Sequence, residues 1–342
     1  MKFNMRRRQQ FLSETHYQKS IHIYNDILHS TDGLESGLRA PEAEPGHHLD
    51  LAQCIASDNF NLFLLRYTAG EELTELRGAL DNILSNYERC RKYQAQYEAD
   101  PSEPAFSFTS LDSYSALMQL MGLCFLLHRR DLLPHLAVLQ DGVDEENGGT
   151  DTLYEEFMAH ATGPNTRFVS DYLCCSLPYK SLFHALTETT PDARLAELHR
   201  YLKRWYKDLA GCAWHDSHKP NEIGDQGGYF GYWSFEAGAA VILLGIEDDS
   251  SLHKYLYYPK DLVAWCRDHA AQYPDGGLPP PQRQQSVQGG LPCPKEGWWF
   301  TVAKMDSRRY FKMGAIFPKL EGNSWGAAFW IWSPDQVSPA RG

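Results

Sequence analysis

Residues 227–251 read GGYFGYWSFEAGAAVILLGIEDDSS. Aromatic side chains crowd the start, and Ala, Val, Ile and Leu then run on to Gly245. A helix that is apolar on every side is a buried helix, so this stretch predicts a helical protein with one element at its centre. Glu236 is the only ionisable residue from Phe235 to Ile246, and Tyr232, Trp233, Ala239 and Ala240 stand one turn from it. A carboxylate stripped of water must find donors or take up a proton. Glu236 therefore reads as a structural pin held by Trp indoles, Tyr hydroxyls, His215, His218 or an Arg. Small residues at 237–240 let a neighbouring backbone approach. Gly245 suits the left-handed position that ends a helix, with Ile246 as the accompanying apolar contact.

Outward from this helix the same periodicity continues. Ser13 can cap a helix to about Thr31, with Tyr17, Ile21, Tyr24 and Leu28 on one face. Helices follow at about 49–68, 71–98, 112–127 and 131–140. Pro178 opens another, and Thr190-Pro191 opens one carrying Leu195, Leu198, Leu202, Trp205 and Leu209. A last helix over about 259–272 follows the YYPKD turn. The expected fold class is mainly α, a multi-helix bundle or helical-repeat-like array. It divides into two helical domains, 1–164 and 165–273. A Pro/Gly/Gln linker over 274–292 leads to a small aromatic-rich β module over 293–342, with strands in GWWFTVAK, SRRYFKMG and GAAFWIWS.

The chain has 342 residues and a formal net charge of −12. Residues 280–342 are near +4, which leaves the helical body near −16. That balance argues against nucleic-acid binding and against anionic membranes, and favours basic partners. No signal peptide or 18-residue apolar span is read, and the eight cysteines form no C-x-x-C pair. A cytoplasmic protein with free thiols is expected.

The motif search finds no phosphate-binding loop, nucleophile elbow or H-E-x-x-H. Cys212, His215, Asp216 and His218 lie close in sequence but diverge on a helix, so no metal or cofactor is expected. Asp216, Asp225 and Glu236, among aromatic residues, leave a glycan-active hydrolase of α/α-toroid type as the alternative, with Glu236 as its acid. A helical scaffold is a third reading. The strongest surface candidate is an acidic, Gly-punctuated loop over 140–157. Asp141, Asp144, Glu145, Glu146, Asp151, Glu155 and Glu156 stand there within 16 residues, with no Lys or Arg. Such a loop could dock a basic partner steered by charge.

Tyr232, Trp233, Phe235, Glu236 and Ala237, the segment GIEDDSSL, and Tyr257, Tyr258, Pro259, Asp261 and Leu262 together resemble the signature of the PoNe-immunity (PoNi) family's C-terminal domain. The resemblance is densest over 200–270, and the N-terminal helices are compatible with it. The tail PCPKEGWW…SRRYFKMGAIFP…W is similar to a small module found in proteins of bacterial toxin–immunity loci. The resemblance implies a cytoplasmic, non-enzymatic immunity protein that binds and blocks a cognate toxin. The implied toxin is a basic nuclease, often a DNase, delivered by type VI secretion. Self-association as a homodimer stays open. The signature residues read as fold-defining, and toxin contact is expected at the seven carboxylates.

Overall fold

The computed structural model describes residues 2–30, 33–39, 45–163, 166–220, 228–273, 286–301, 304, 307–319 and 329–333. Its helices are α1 (Phe3–Arg6), α2 (Glu14–His29), α3 (Leu34–Leu38), α4 (Pro45–Thr68), α5 (Leu73–Glu98) and α6 (Leu111–Leu126). They continue with α7 (Leu133–Asp141), α8 (Thr152–Thr162), α9 (Tyr179–Thr187), α10 (Pro191–Asp208), α11 (Phe235–Leu243) and α12 (Lys260–His269). The protein is mainly α with a small β module, as the sequence implies. Ser13, Ser110 and Thr190 cap α2, α6 and α10 by accepting backbone N–H groups three residues on.

The opening stretch forms α11, and all of Phe235 to Val241 is buried. Gly245 has φ +63. Its N–H donates to the Ile242 carbonyl at 3.1 Å, and the Ile246 N–H donates to the Val241 carbonyl at 3.1 Å. This is the paired closure expected of a glycine-terminated helix. At 237–240 the close neighbour is a side chain at Gly238, and the backbone approach falls just before that run, at Phe235 and Glu236. A Cβ on Gly238 would sit 2.9 Å from the Pro259 ring. On α6, a Cβ on Gly122 would meet the Glu236 backbone nitrogen at 2.6 Å. One apolar cluster runs from Phe3 to Cys266 around α6 and α11.

The tail forms an antiparallel sheet of β1 (Ser286–Gln288), β2 (Gly297–Phe300), β3 (Arg309–Phe311) and β4 (Phe329–Trp332), in the order β1-β4-β2-β3. Three of these strands lie where the aromatic segments predict them. β1 is the addition: its residues read as extended linker, and they pair with β4 through Val287 opposite Trp330. Trp299, Phe311, Phe317 and Trp330 make a second, separate core. The first part of the linker, 274–285, lies outside the described residues.

Another difference falls at 140–157. The Gly and acidic residues suggest a solvated loop, but only the middle is one. The stretch holds the end of α7, a tight turn over Val143–Glu145, and most of α8. The pattern Leu153, Tyr154, Phe157, Met158 and Ala161 is the buried face of a helix, masked by its charged start.

Candidate functional site

Glu236 sits near the start of α11 and has no solvent exposure. Its Oε1 accepts three hydrogen bonds: from the Tyr201 hydroxyl at 2.6 Å, the Trp205 indole at 2.9 Å and the Ser234 hydroxyl at 2.9 Å. Oε2 has no hydrogen-bond partner. Burial pushes the carboxyl above its ordinary range, against the pull of these donors. Tyr and Trp donors were foreseen. His215 and His218 are not among them: His215 stacks on Tyr206 and His218 bonds the Tyr232 hydroxyl. Asp216 stands apart, half-buried, with Lys219 at 2.6 Å and the Tyr206 hydroxyl at 2.7 Å. Those two bonds hold its carboxyl down at about 2. Asp225 lies outside the described residues. Among the described residues, no three His, Cys, Asp or Glu side chains converge as a metal site. No helix among them is long and apolar enough to cross a membrane.

The other signature residues bind the core together. The Trp233 indole donates to Thr68 Oγ1 at 2.8 Å. Phe235 meets Tyr67 edge-on at 5.1 Å, and Tyr257 stacks on Tyr206 at 5.2 Å. Asp249, from the GIEDDSSL segment, accepts the Tyr258 hydroxyl at 2.5 Å and Arg267 at 2.7 Å. Burial alone would raise the Asp249 carboxyl, yet these partners hold it below the usual range. Pro259 packs on Gly238, and Asp261 lies 3.9 Å from Arg8 on the surface.

Sequence reasoning missed the residue that locks this region to the N-terminus. Gln9 is buried. Its Nε2 donates to the carbonyls of Tyr232 at 2.5 Å and Leu256 at 3.1 Å. Its Oε1 accepts the Tyr229 hydroxyl at 2.6 Å and the Tyr232 N–H at 2.9 Å. One Gln of a Gln-Gln pair after an Arg run carries no signal of this in one sequence.

The seven carboxylates part company. Asp141, Asp151 and Glu155 are buried, which corrects the expectation of one solvated acidic surface. The cause is Arg167. It places two nitrogens on Asp141 at 2.6 and 3.0 Å, and its Nε on Glu155 Oε2 at 2.8 Å. Tyr154 donates its hydroxyl to Asp141 at 2.8 Å. Asp151 caps α8 through the Tyr154 N–H at 2.9 Å, and accepts the Cys174 N–H at 2.8 Å and the Tyr114 hydroxyl at 3.0 Å. Burial raises the Asp151 and Glu155 carboxyls, partly offset by those bonds. Glu156 is half-buried 3.8 Å from His160, and desolvation pushes its carboxyl up to about 7. The signal for Arg167 was available: it is the one Lys or Arg between Arg130 and Lys180, a span with nine Asp and Glu.

Asp144, Glu145 and Glu146 remain exposed. Asp144 and Glu145 both adopt left-handed backbone, φ 51 and 60, which costs a non-glycine residue energy and needs rigid surroundings. The Val143 N–H donates to Ser102 Oγ at 3.1 Å and Asn147 Nδ2 donates to the Ser102 carbonyl at 2.6 Å, which holds the turn directly, and the Arg167 bonds join the end of α7 to the segment after α8. That segment presents Phe168, Val169 and Tyr172 to solvent, each at least 40 % exposed. Phe168 lies over Gly148, and the Thr152 N–H donates to the Tyr172 carbonyl at 2.7 Å. Acidic turn and apolar segment thus form one fixed surface. Sequence reasoning had no term for the apolar half.

Residues 149–262 match the family model described as PoNe immunity proteins (PoNi), C-terminal. This region belongs to that family. Its PoNi match spans α8 to the start of α12 and holds Glu236 with its three donors, and Asp249 with Tyr258, while Arg267 lies just beyond it. Protein PA2201 from Pseudomonas aeruginosa, known from its crystal structure, shares the fold at 19% identity and a TM-score of 0.56. The alignment covers 77% of this chain and 92% of that one. No curated protein matches the chain.

Proposed function

We propose that the protein binds and neutralises a cognate antibacterial toxin in the cytoplasm of the cell that makes it. The PoNi match over 149–262 carries this reading. The toxin would be a nuclease with a basic substrate groove, delivered by type VI secretion. Contact is proposed at the surface of Asp144, Glu145 and Glu146 with Phe168, Val169 and Tyr172. Exposed aromatic and aliphatic side chains beside carboxylates suit a partner with an apolar spot inside a basic field. The body's charge near −16 supports capture of such a partner by steering. Asp141, Asp151 and Glu155 are proposed to support that surface from within, and Glu156 to flank it. Glu236, with its Oε1 occupied by three donors and no solvent exposure, is proposed as a structural pin and not as an acid catalyst.

Co-expression with the toxin encoded beside it tests the reading. Rescue of growth and recovery of a stable complex are expected. A toxin that kills regardless and does not co-purify would overturn it.

A further inference from the structure

A cavity of about 100 Å³ opens where the PoNi-like region meets the N-terminal helices. One side is aromatic: Trp205, Trp214, Phe230, Tyr232 and Trp233. Trp205 and Trp214 stack at 5.3 Å, and Tyr232 lies 5.4 Å from Trp214. Three of the four polar ring groups on this wall are committed elsewhere. Trp205 donates to Glu236, Trp233 donates to Thr68, and the Tyr232 hydroxyl is bonded to His218. What the wall offers is mainly ring surface, which attracts cations.

The opposite side comes from α4 and α6 and is rich in acceptors. Asp112 is exposed at the mouth and is the only charged residue among those lining the cavity. It accepts the Ala213 N–H at 3.0 Å and keeps lone pairs free. Gln119 lines the cavity with 6% exposure. Its Nε2 donates to Ser115 at 3.1 Å, and its Oε1 has no partner among the described residues. That oxygen is an acceptor open to a donor entering the cavity.

We propose that this cavity takes the guanidinium head of an arginine presented by a bound protein. A guanidinium is planar, stacks on aromatic faces and carries five N–H donors. The cavity has aromatic faces, an unpaired amide oxygen, a carboxylate and no competing cation. Its volume holds roughly three waters, which one such head would displace. An anion would meet the Asp112 carboxylate. That the presenting protein is the toxin rests on the function proposed above; the chemistry of the cavity does not.

The test is a fluorescence titration of the whole chain, with cavity tryptophans as reporters. Argininamide is expected to give a saturable change. Citrullinamide has the same shape without the charge and should bind at least about tenfold more weakly, the equivalent of one cation–π contact. Asp112→Asn keeps an acceptor for the Ala213 N–H, so it should weaken argininamide several-fold at unchanged Tm. Gln119→Leu is the second variant and should do the same. Equal binding of the two probes, or none, overturns the proposal. Excess argininamide should also loosen the complex with purified toxin. Argininamide binding without that competition overturns the protein-presented arginine while leaving the toxin reading intact, whereas absence of any complex tells against the toxin reading alone.

Discussion

Gln9 and Glu236 are both buried polar side chains, but they differ in how the fold depends on them. Gln9→Ala removes four bonds at once and leaves two carbonyls, a hydroxyl and an amide buried without partners. Each orphan costs about 1–3 kcal/mol, so a loss of at least about 2 kcal/mol is expected in urea unfolding, even after water enters. Glu236→Ala would likewise strand Tyr201, Trp205 and Ser234. Glu236→Gln keeps the acceptor and cannot ionise. Burial raises the Glu236 carboxyl above its ordinary value of 4.5. A carboxyl raised in the folded state contributes its stability fully below that value and loses it as pH climbs through the folded value. Wild-type stability should therefore fall with rising pH over that range, and Glu236→Gln should flatten part of the slope. Glu156, raised to about 7 by desolvation, acts with the same sign between 4.5 and about 7. Thermal melts of Glu156→Gln from pH 4.5 to 8 should show a smaller fall than wild type; an identical profile would mean that Glu156 is solvated. The need of Glu236 for donors was legible from its neighbours alone. Gln9 was not, because nothing local marks a side chain whose four partners stand more than 200 positions away.

At the scale of elements, α11 was legible because a helix apolar on all sides has one place to go. Its partner was only half legible. The run of small residues at 237–240 announced a close crossing, but Gly122 on α6 does not stand out in LMGLCFLL. Its role depends on the Glu236 backbone lying 2.6 Å from where a Cβ would be. In an isolated helix Ala would be favoured over Gly. Here Gly122→Ala forces two helices apart, and overpacking costs about 1–3 kcal/mol. Reduced Tm with an unchanged helical spectrum is the expected result; a gain in Tm would show that α6 can shift freely. The stretch 140–157 was misjudged for the opposite reason. Charge was read as solvation, although a carboxylate that finds a guanidinium can go inside. Removing the guanidinium should expose that dependence. Arg167→Met strands Asp141 and Glu155 in the interior, and breaking a buried pair costs about 3–5 kcal/mol.

Over the whole molecule, net charge and local surface make separable contributions to partner binding. A body near −16 attracts a basic protein from any direction, and that effect is screened by salt. The exposed turn and the segment after α8 decide where such a partner stops. Neutralising Asp144, Glu145 and Glu146 with Asn and Gln should lower the association rate for the toxin and reduce its salt dependence. Tyr172→Ala removes an exposed aromatic anchor and should raise the dissociation rate, leaving the salt dependence as it was. Neither set touches the buried bonds of Arg167, so Tm should hold in both. Arg167→Met is the informative third variant. It leaves every exposed side chain in place but cuts the tie between the end of α7, from which the turn at Asp144 and Glu145 leads off, and the apolar segment after α8. If the surface works because it is held rigid, affinity should fall in this variant at temperatures where it remains folded. Surface plasmon resonance at two salt concentrations separates the three behaviours. Unchanged kinetics in all three would remove this face from the interaction and turn the search to the rest of the acidic body.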